Sequence, residues 1–260
     1  MSSEKAMSKR QAMRAKRERR ARVQQLSVLG VVVVGALLVA FALIYPNLRP
    51  IGKVAAASSR DRPMANDNAM GDPNAPIKIE EFSDFQCPYC QNFYLETENQ
   101  IVENYVKTGK VYFTYRSMGN FLSDNIARSG GPSNSESIDA ISAAYCAGDQ
   151  GKFWEYHDIL FANQTGEGTG DFAARKLTAY AQELNLDMNA FQSCFDSGKY
   201  KERAQQDEAD GQAAGVTGTP AFYLTYTVNG ETKHKLIAGA YPFSEFQTQF
   251  DAALAEMGIQ

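Results

Sequence analysis

The sequence predicts an α/β domain that carries an inserted helical block and is preceded by one N-terminal transmembrane helix. Three observations support this prediction. A strongly basic tail precedes an apolar run of twenty residues. A strand, a helix and a second strand then follow one another within about 40 residues, which is the pattern of a βαβ unit with a parallel pair. Finally, several helical patterns separate this unit from a β-hairpin and a closing helix.

The basic tail comprises residues 1–22. Two acidic side chains, Glu4 and Glu18, offset only part of its charge, which is +7. The whole chain has a net charge of −4, which leaves −11 for residues 23–260. Such a tail could bind nucleic acid or be an unstructured end, and the segment that follows decides between these readings. The basic side chains are Lys5, Lys9, Arg10, Arg14, Lys16, Arg17, Arg19, Arg20 and Arg22.

Residues 23–48 contain no charged side chain, and residues 26–45 are almost wholly apolar. Twenty such residues in a helix are long enough to span a hydrocarbon core of about 30 Å. The positive flank predicts that residues 1–22 are cytoplasmic and that the chain beyond about residue 46 is outside. We therefore expect a single-pass protein of the plasma membrane that contacts lipid through residues 23–48, with an extracytoplasmic C-terminal domain and no nucleic-acid partner.

A cleaved signal peptide is the alternative interpretation of the apolar run. Three alanines at residues 55–57 offer a cleavage site, but Arg49 and Lys53 separate them from the run. The apolar core of a signal peptide is usually about 7–15 residues long, which is shorter than the run here. We favour an uncleaved anchor.

The exported part begins with a linker, residues 49–75, which is rich in Ala, Ser, Asn, Asp and Pro and has no periodicity. Residues 76–260 are then long enough for one domain with a sizeable core. No heptad pattern lies between the anchor and this domain, so we expect a monomer. All four cysteines lie in the exported part, which would face an oxidising compartment.

A Cys-x-x-Cys pair, Cys87 and Cys90, begins the first helix of this domain, directly after a strand and a short turn. The unpaired N–H groups at a helix N-terminus favour a thiolate, so the first thiol should be exposed and have a low pKa. With Cys90 behind it as the resolving thiol, the pair is predicted to be a redox centre. An inert structural disulfide and a zinc site are the alternatives. Zinc needs four ligands, and no other Cys or His has a suitable spacing, so we expect neither a metal nor a cofactor.

The elements after this pair follow from their periodicity. The helix continues to Gly109, and residues 111–116 form a β-rich strand, whereas the polar residues 117–135 are interpreted as a loop. Five helical stripes follow before about residue 215. An Asn229-Gly230 turn then joins two strands, residues 221–226 and 235–238, before a closing helix over residues 242–257. His157 is interpreted as a surface or interhelical residue, and His234 as an exposed strand residue.

This layout resembles the thioredoxin superfamily, specifically the extracytoplasmic thiol:disulfide oxidoreductases of the DsbA type. Three segments carry the resemblance: Glu-Phe-Ser-Asp-Phe-Gln-Cys-Pro-Tyr-Cys at 81–90, Gly-Lys-Phe-Trp-Glu-Tyr-His at 151–157 and Gly-Val-Thr-Gly-Thr-Pro-Ala at 215–221. The resemblance covers about residues 70–257. It implies a thioredoxin-like fold in which residues of about 135–212 are the helical insertion.

The resemblance also implies roles for single residues. Pro220 would be cis and lie against the active-site disulfide, leaving the Thr219 backbone free to pair with an extended substrate. Pro88 and Tyr89, between the cysteines, would contribute to the same binding surface. A trans proline that merely starts a strand is the alternative for Pro220.

Glu81 is placed by two arguments. Strand alternation puts its side chain on the apolar face, six residues before Cys87. The family has a buried acid at this spacing, which acts as a proton acceptor for the second thiol. A surface carboxylate at the end of the strand is the alternative.

The two remaining cysteines, Cys146 and Cys194, would form a second disulfide, since both lie in the exported part. The family usually lacks such a bond, so two free buried thiols are the alternative. A further departure is Tyr89, because several oxidases of this type have Pro-His between the cysteines. Tyr89 carries no cation that would stabilise the thiolate, so the direction of electron flow stays open.

The predicted function is a membrane-anchored dithiol oxidase that introduces disulfides into exported proteins. A reduced or unfolded substrate attacks Cys87 to form a mixed disulfide, and a separate membrane partner reoxidises the pair. A reductase or isomerase with the same chemistry is the nearest alternative, although such isomerases are generally dimers. A non-catalytic exported binding domain on a thioredoxin fold is the alternative from another class.

Overall fold

The computed structural model describes residues 9–48 and 51–259 and divides into two compact units, Met1–Pro50 and Ile51–Gln260. In the first unit, helix α1 covers Lys9–Leu48. Its stretch Lys16–Ala42 is long and apolar enough to cross a membrane, judged by length and composition. This helix is consistent with the predicted anchor. The part of the basic tail before residue 9, with Lys5, and the first two residues of the predicted linker lie outside the described residues.

The second unit contains a mixed five-stranded sheet with the strand order β1-β3-β2-β4-β5. Strands β2 and β3 are parallel, whereas β4 runs antiparallel to both β2 and β5, and β1 is antiparallel to β3. The central strand β2 therefore lies between β3 and β4, and it leads directly to the cysteine pair. The strands are β1 (Ala69–Met70), β2 (Ile77–Ser83), β3 (Val111–Ser117), β4 (Ala221–Val228) and β5 (Glu231–Ala238).

A long helical segment joins β2 to β3 and supplies the crossover that a parallel pair requires. It starts as helix α2 (Pro88–Phe93) and continues through a π-helical turn (Tyr94–Glu98), the short helix α3 (Asn99–Ile101) and a second π-helical turn (Val102–Val106). Gly109 follows with a φ of 71°, a left-handed conformation that suits glycine after a helix end.

The remaining helices form the insertion and the closing element. Helix α5 is at the centre of the insertion, and ten of its residues are buried. The Asn229-Gly230 turn has positive φ at both positions and joins β4 to β5 as predicted. The helices are α4 (Phe121–Arg128), α5 (Glu136–Gly148), α6 (Phe153–Asn163), α7 (Ala174–Glu183), α8 (Met188–Ser197), α9 (Lys201–Ala213) and α10 (Phe243–Glu256).

The predicted fold class, a thioredoxin-like α/β domain with helical additions, is confirmed. Two segments differ from the sequence-based prediction. The expected loop at residues 117–135 contains helix α4, which buries Leu122 and Ser123. The expected linker carries strand β1, and Arg60 and Arg62 pack against buried groups of the domain. The boundaries predicted between tail, anchor, linker and domain stay predictions.

The two histidines have different environments. His157 on α6 is fully buried, so the interhelical interpretation holds and the surface interpretation is wrong. Its ring lies among aromatic rings, including Tyr115 at a centroid distance of 5.2 Å and Phe161 at 4.9 Å. His234 on β5 is exposed, as predicted.

Candidate functional site: the Cys87–Cys90 pair

Cys87 is the residue that precedes helix α2, and its backbone is extended, with φ −75° and ψ 119°. Its carbonyl accepts the first helical hydrogen bond from the Gln91 N–H, at 3.1 Å. Pro88 occupies the first helical position, where its missing N–H costs nothing and its fixed φ suits the helix. The local sequence thus places the Cys87 sulfur beside the free N–H groups of the first turn.

The pKa of the Cys87 thiol is lowered to about 6. The largest cause is a hydrogen bond from the Cys90 side chain to the Cys87 sulfur, and the Thr219 side chain and the backbone N–H groups of Cys90 and Tyr89 act in the same direction. Burial opposes these effects. At neutral pH Cys87 is therefore mostly a thiolate when the pair is reduced.

Cys90 has the opposite environment. Its side chain is 0% exposed, and burial is the largest cause of a pKa well above the usual value. The thiolate of Cys87 and the carboxyl of Glu81 raise that pKa further. The two sulfurs of the pair thus differ strongly in proton affinity, although only two residues separate them.

The exposure predicted for Cys87 is wrong. The residue is only 4% exposed, because the turn before β4 covers it. The Cys87 Sγ lies 3.4 Å from the carbonyl oxygen of Thr219, which can accept a hydrogen bond from the protonated thiol. Tyr89 is the exposed residue of the motif, at 66%, and Pro88 is half-buried.

The turn before β4 brings Thr219 and Pro220 to the cysteine pair. The peptide bond between these two residues is cis. The carbonyl of Pro220 accepts a hydrogen bond of 2.9 Å from the Gly239 N–H, which connects the turn to the end of β5. Thr219 is half-buried beside Cys87, so a polypeptide that reaches the sulfur would meet the Thr219 backbone as well.

Glu81 is buried on β2, at 1% exposure, as strand alternation predicts. In the sheet it lies opposite Tyr115 of β3 and Phe222 of β4. Neither carboxylate oxygen has a hydrogen-bond partner among the described residues. Burial first, and then the Glu98 carboxylate, raise the pKa of Glu81 well above its usual range. Such a carboxyl keeps its proton at a pH where an exposed carboxyl would have lost it, which suits a group that exchanges a proton with a buried thiol.

Asp84 is a second buried acid near the pair. It is 3% exposed, and burial is the largest cause that raises its pKa to about 7, with the Cys87 thiolate adding to the effect. Its carbonyl accepts a 3.0 Å hydrogen bond from the Cys87 N–H, and its Oδ1 accepts one of 2.9 Å from the Gln86 N–H. Asp84 therefore shapes the turn that positions Cys87.

Gln86 holds the same turn against the helical insertion. Its buried Nε2 donates to Ser123 Oγ at 2.9 Å and to Ser137 Oγ at 2.8 Å, and its Oε1 accepts from the Gly168 N–H at 2.9 Å. These contacts join the residue before Cys87 to α4, α5 and the loop before α7. The helical insertion thus fixes the position of the turn that carries Cys87.

The second cysteine pair lies in the insertion. A disulfide joins Cys146 on α5 to Cys194 on α8, 48 positions further along the chain. Cys146 is buried and Cys194 is half-buried, with its Sγ 3.6 Å from Asp149 Oδ2. Within residues 9–48 and 51–259, no group of three or more His, Cys, Asp or Glu could hold a metal ion.

Sequence reasoning missed Asp84, Arg62 and Glu98. Asp84 stood inside the quoted motif, but its burial depends on the insertion that covers it. Arg62 lay in a segment interpreted as a linker, and Glu98 on the long helical segment carried no signal beyond ordinary amphipathic spacing. A pattern within one element cannot show which charged side chains two distant segments bring together.

Comparison with known proteins agrees with this geometry. The family model described as thioredoxin matches residues 64–248, which is most of the chain. The chain belongs to the thioredoxin family. The resemblance predicted from the cysteine motif and the Thr219-Pro220 turn is thereby confirmed.

Two kinds of curated protein are among the relatives of this thioredoxin-family chain. The Na(+)/H(+) antiporter NhaA 1 of Salinispora arenicola is 29% identical over 189 residues, covering 73% of this chain and 25% of the antiporter. The chain thus spans about a quarter of that relative's length. The "Probable disulfide bond formation protein D" of Bacillus anthracis is 25% identical over 158 residues, covering 60% of this chain and 68% of the relative.

Solved structures show the same fold. The crystal structure of alpha-DsbA1 from Wolbachia pipientis matches with a TM-score of 0.58 and 20% identity, covering 75% of this chain and 94% of that one. Oxidised BdbD from Bacillus subtilis matches with a TM-score of 0.52 and 17% identity, covering 77% of this chain and 100% of that one. Each of these structures therefore shares its fold with about three quarters of this chain.

Proposed function

We propose that this chain is a membrane-anchored thiol:disulfide oxidoreductase that introduces disulfides into exported proteins. One observation carries the proposal: the pKa values of the two thiols are shifted in opposite directions. The pKa of Cys87 is lowered to about 6, and the pKa of Cys90 is raised well above its usual value. An inert structural disulfide would not require thiol pKa values that are shifted in opposite directions. The family and the relative named for disulfide bond formation support the same reading.

The reaction begins with the oxidised pair. A substrate thiolate attacks the Cys87 sulfur, the Cys87–Cys90 bond breaks, and Cys90 leaves with the electron pair. Glu81 then supplies the proton that the buried Cys90 thiolate requires. A second substrate thiolate next attacks the substrate sulfur of the mixed disulfide, the bond between that sulfur and Cys87 breaks, and Cys87 leaves as a thiolate. The substrate loses two electrons and the Cys87–Cys90 pair gains them.

The low pKa of Cys87 favours this direction. A thiol of low pKa is a good leaving group, and a stabilised thiolate makes the reduced pair lower in free energy, so the disulfide is more oxidising. Thr219 and the exposed Tyr89 would contact the substrate polypeptide beside Cys87, together with Pro88. A membrane partner must then remove the two electrons and regenerate the disulfide.

Helix α1 supports the proposed location. We infer that it anchors the chain in the plasma membrane, with residues 1–22 cytoplasmic and the thioredoxin-family unit outside, where reduced exported proteins are its substrates. Labelling of single cysteines introduced at residues 10 and 57 of a Cys-free variant, with a membrane-impermeant maleimide on intact cells, tests this. Only residue 57 should react, whereas release of the unit from membranes would indicate a cleaved segment.

The redox direction is tested with the full chain in detergent micelles. Equilibration with glutathione buffers should give a Cys87–Cys90 potential more oxidising than about −200 mV, nearer to DsbA than to thioredoxin. The oxidised protein should also form disulfides in a reduced, unfolded model substrate, and Cys87→Ser should not. A potential near about −270 mV would favour the reductase alternative. A Cys87–Cys90 disulfide that reacts with no added thiol would favour the non-catalytic binding domain.

A further inference from the structure

A buried charged cluster lies beside the proposed site and has no part in the reaction derived so far. It consists of Arg62, Glu98, His157 and Asp158, and three separate segments supply these residues. Arg62 precedes β1, Glu98 ends the first π-helical turn, and His157 and Asp158 are on α6. We call these four residues the Arg62 cluster.

Short contacts hold the Arg62 cluster together. Arg62 Nη1 donates to Glu98 Oε1 at 2.7 Å, and Arg62 Nη2 donates to Asp158 Oδ1 at 2.5 Å. His157 Nδ1 lies 2.9 Å from Asp158 Oδ1, and its Nε2 lies 3.7 Å from Glu98 Oε2. The Arg62 guanidinium also stacks 4.5 Å from the Trp154 ring centroid. The side chains of Glu98 and His157 are 1% and 0% exposed, so water screens their charges little.

The cluster adjoins Glu81 through Tyr115. Tyr115 lies directly opposite Glu81 in the parallel ladder, and its ring centroid is 5.2 Å from that of His157. Polar atoms without a hydrogen-bond partner among the described residues mark the same region: both Glu81 carboxylate oxygens, the Tyr115 hydroxyl, Glu98 Oε2 and His157 Nε2. Buried polar atoms normally find partners, so this grouping shows that the surroundings of Glu81 and the Arg62 cluster form one polar region inside the domain.

We propose that Arg62 and Glu98 are positioning residues for the redox reaction, because their opposite charges set how readily Glu81 exchanges a proton with Cys90. This inference rests on the proposed function, in which Glu81 serves Cys90. It makes the segment before β1 a part of the redox apparatus, although that segment is distant in sequence from the cysteines.

The charges around Glu81 support this assignment. After burial, the Glu98 carboxylate is the largest cause that raises the pKa of Glu81, whereas Arg62 lowers it and Cys87 raises it. The other titratable groups of this region are Cys90 on α2, Tyr115 on β3 and Asp84 in the turn after β2. His157 and Asp158 on α6 belong to the cluster, and Arg60 lies 3.5 Å from Glu98. Arg62 therefore offsets a repulsion that Glu98 would otherwise exert on an ionised Glu81.

The test follows the resolving step in the full chain in detergent micelles. Reduced protein reacts with oxidised glutathione to give a mixed disulfide on Cys87, and Cys90 then forms the Cys87–Cys90 bond and releases glutathione. The proton of Cys90 passes to Glu81 before or during that attack. Rapid quenching and mass spectrometry give the release rate as a function of pH, and the inflection of this profile reports the coupled Glu81–Cys90 pair.

Opposite shifts are the expected result. Glu98→Gln, which keeps an oxygen for Arg62, should move the inflection to lower pH by about half a unit or more. Arg62→Gln should move it to higher pH by a similar amount, and Arg62→Lys should restore most of the original profile. Arg203→Gln is the matched control, because Arg203 pairs with Asp67 at 2.8 Å, donates to Asn68 and stacks on Tyr145, and it is not among the main causes that shift the pKa of Glu81.

A purely structural role would move both variants in the same direction, through loosened packing, and that result would overturn the proposal. Shifts no larger than that of Arg203→Gln would do the same. Glu98→Gln alone suffices if Arg62→Gln does not fold. The variant Glu81→Gln distinguishes a failure of this inference from a failure of the role proposed for Glu81. If it removes the inflection while the cluster variants leave it in place, only this inference fails. If it changes nothing, the proposed role of Glu81 fails too.

Discussion

At the scale of the residue, the charge on Cys87 depends on its partner sulfur. The Cys90 side chain is the largest cause of the low pKa of Cys87. We therefore expect Cys90→Ala to move the inflection of Cys87 alkylation clearly above pH 6, whereas Cys90→Ser, which keeps a donor, should move it less. Iodoacetamide labelling as a function of pH, read by mass spectrometry, measures both. In the unmodified protein, Cys90 should stay unlabelled at neutral pH, and equal labelling of the two thiols would contradict this account.

Asp84 gives a second prediction at this scale, on stability rather than reactivity. Its pKa is about 7 in the folded protein and about 3.9 when unfolded, so the folded state binds this proton more tightly. The resulting stability is present below about pH 4 and is lost as pH rises through about 7. Asp84→Asn should therefore gain up to about 3 kcal/mol relative to the natural protein between about pH 4.5 and pH 8.

Urea unfolding of the oxidised protein at the two pH values measures the part of this difference that burial causes, because no Cys87 thiolate is then present. Asp72→Asn is the control, since Asp72 lies in the loop between β1 and β2, well before the cysteine turn. A difference between natural protein and variant that does not change with pH would show that Asp84 ionises like an ordinary surface acid.

At the scale of the element, helix α9 packs closely on the sheet at Gly211. A Cβ atom added there would lie 2.8 Å from both Phe82 Cδ1 and Met118 Sδ. Alanine would ordinarily favour a helix by about 1 kcal/mol over glycine. Here we expect Gly211→Ala to destabilise the protein by about 1–3 kcal/mol, since the ring and the thioether must move. Chemical denaturation compares it with Gln212→Ala, an exposed neighbour whose effect should stay within about 0.5 kcal/mol. A more stable Gly211→Ala variant would show that the contact is loose.

The elements also show what the sequence could predict. Local signals were sufficient for β2, for the helix at Cys87 and for the hairpin at Asn229-Gly230, because alternation, helix-start chemistry and turn residues act within a few positions. Helix α4 was missed because its polar, Gly- and Ser-rich surroundings resemble a loop, and only the burial of Leu122 against the domain favours a helix there. Strand β1 is two residues long, too short for any periodicity.

The candidate site, like the fold, could be predicted from the sequence only in part. The cysteine pair followed from its spacing and the burial of Glu81 from strand alternation, whereas the roles of Thr219 and Pro220 followed from the resemblance to the DsbA type. The burial of Cys87 did not, because it depends on a turn that lies 132 positions further along the chain. Arg62 meets Glu98 across 36 positions, so its role is likewise a property of the tertiary structure.

At the scale of the whole molecule, the Cys146–Cys194 disulfide constrains the helical insertion. The bond closes a loop of 48 residues, which in the chain-entropy model contributes about 3–4 kcal/mol. Replacing both cysteines by serine should lower the free energy of unfolding by about that amount, yet leave the Cys87–Cys90 potential unchanged. Urea unfolding and glutathione equilibration measure the two quantities. A changed potential would show that the insertion tunes the active pair through this bond.

The contact between Arg62 and Glu98 also has a practical consequence. The segment that matches the thioredoxin family starts at residue 64, and this is where a soluble fragment would naturally be cut. Such a fragment would retain every strand of the sheet and both cysteine pairs, yet it would lack both guanidinium groups that pair with Glu98, those of Arg60 and Arg62. Under the role proposed for the Arg62 cluster, the fragment would fold but transfer protons at a shifted pH. If relatives are compared as fragments cut at that boundary, their activities would differ partly because of the cut and not only because of their chemistry.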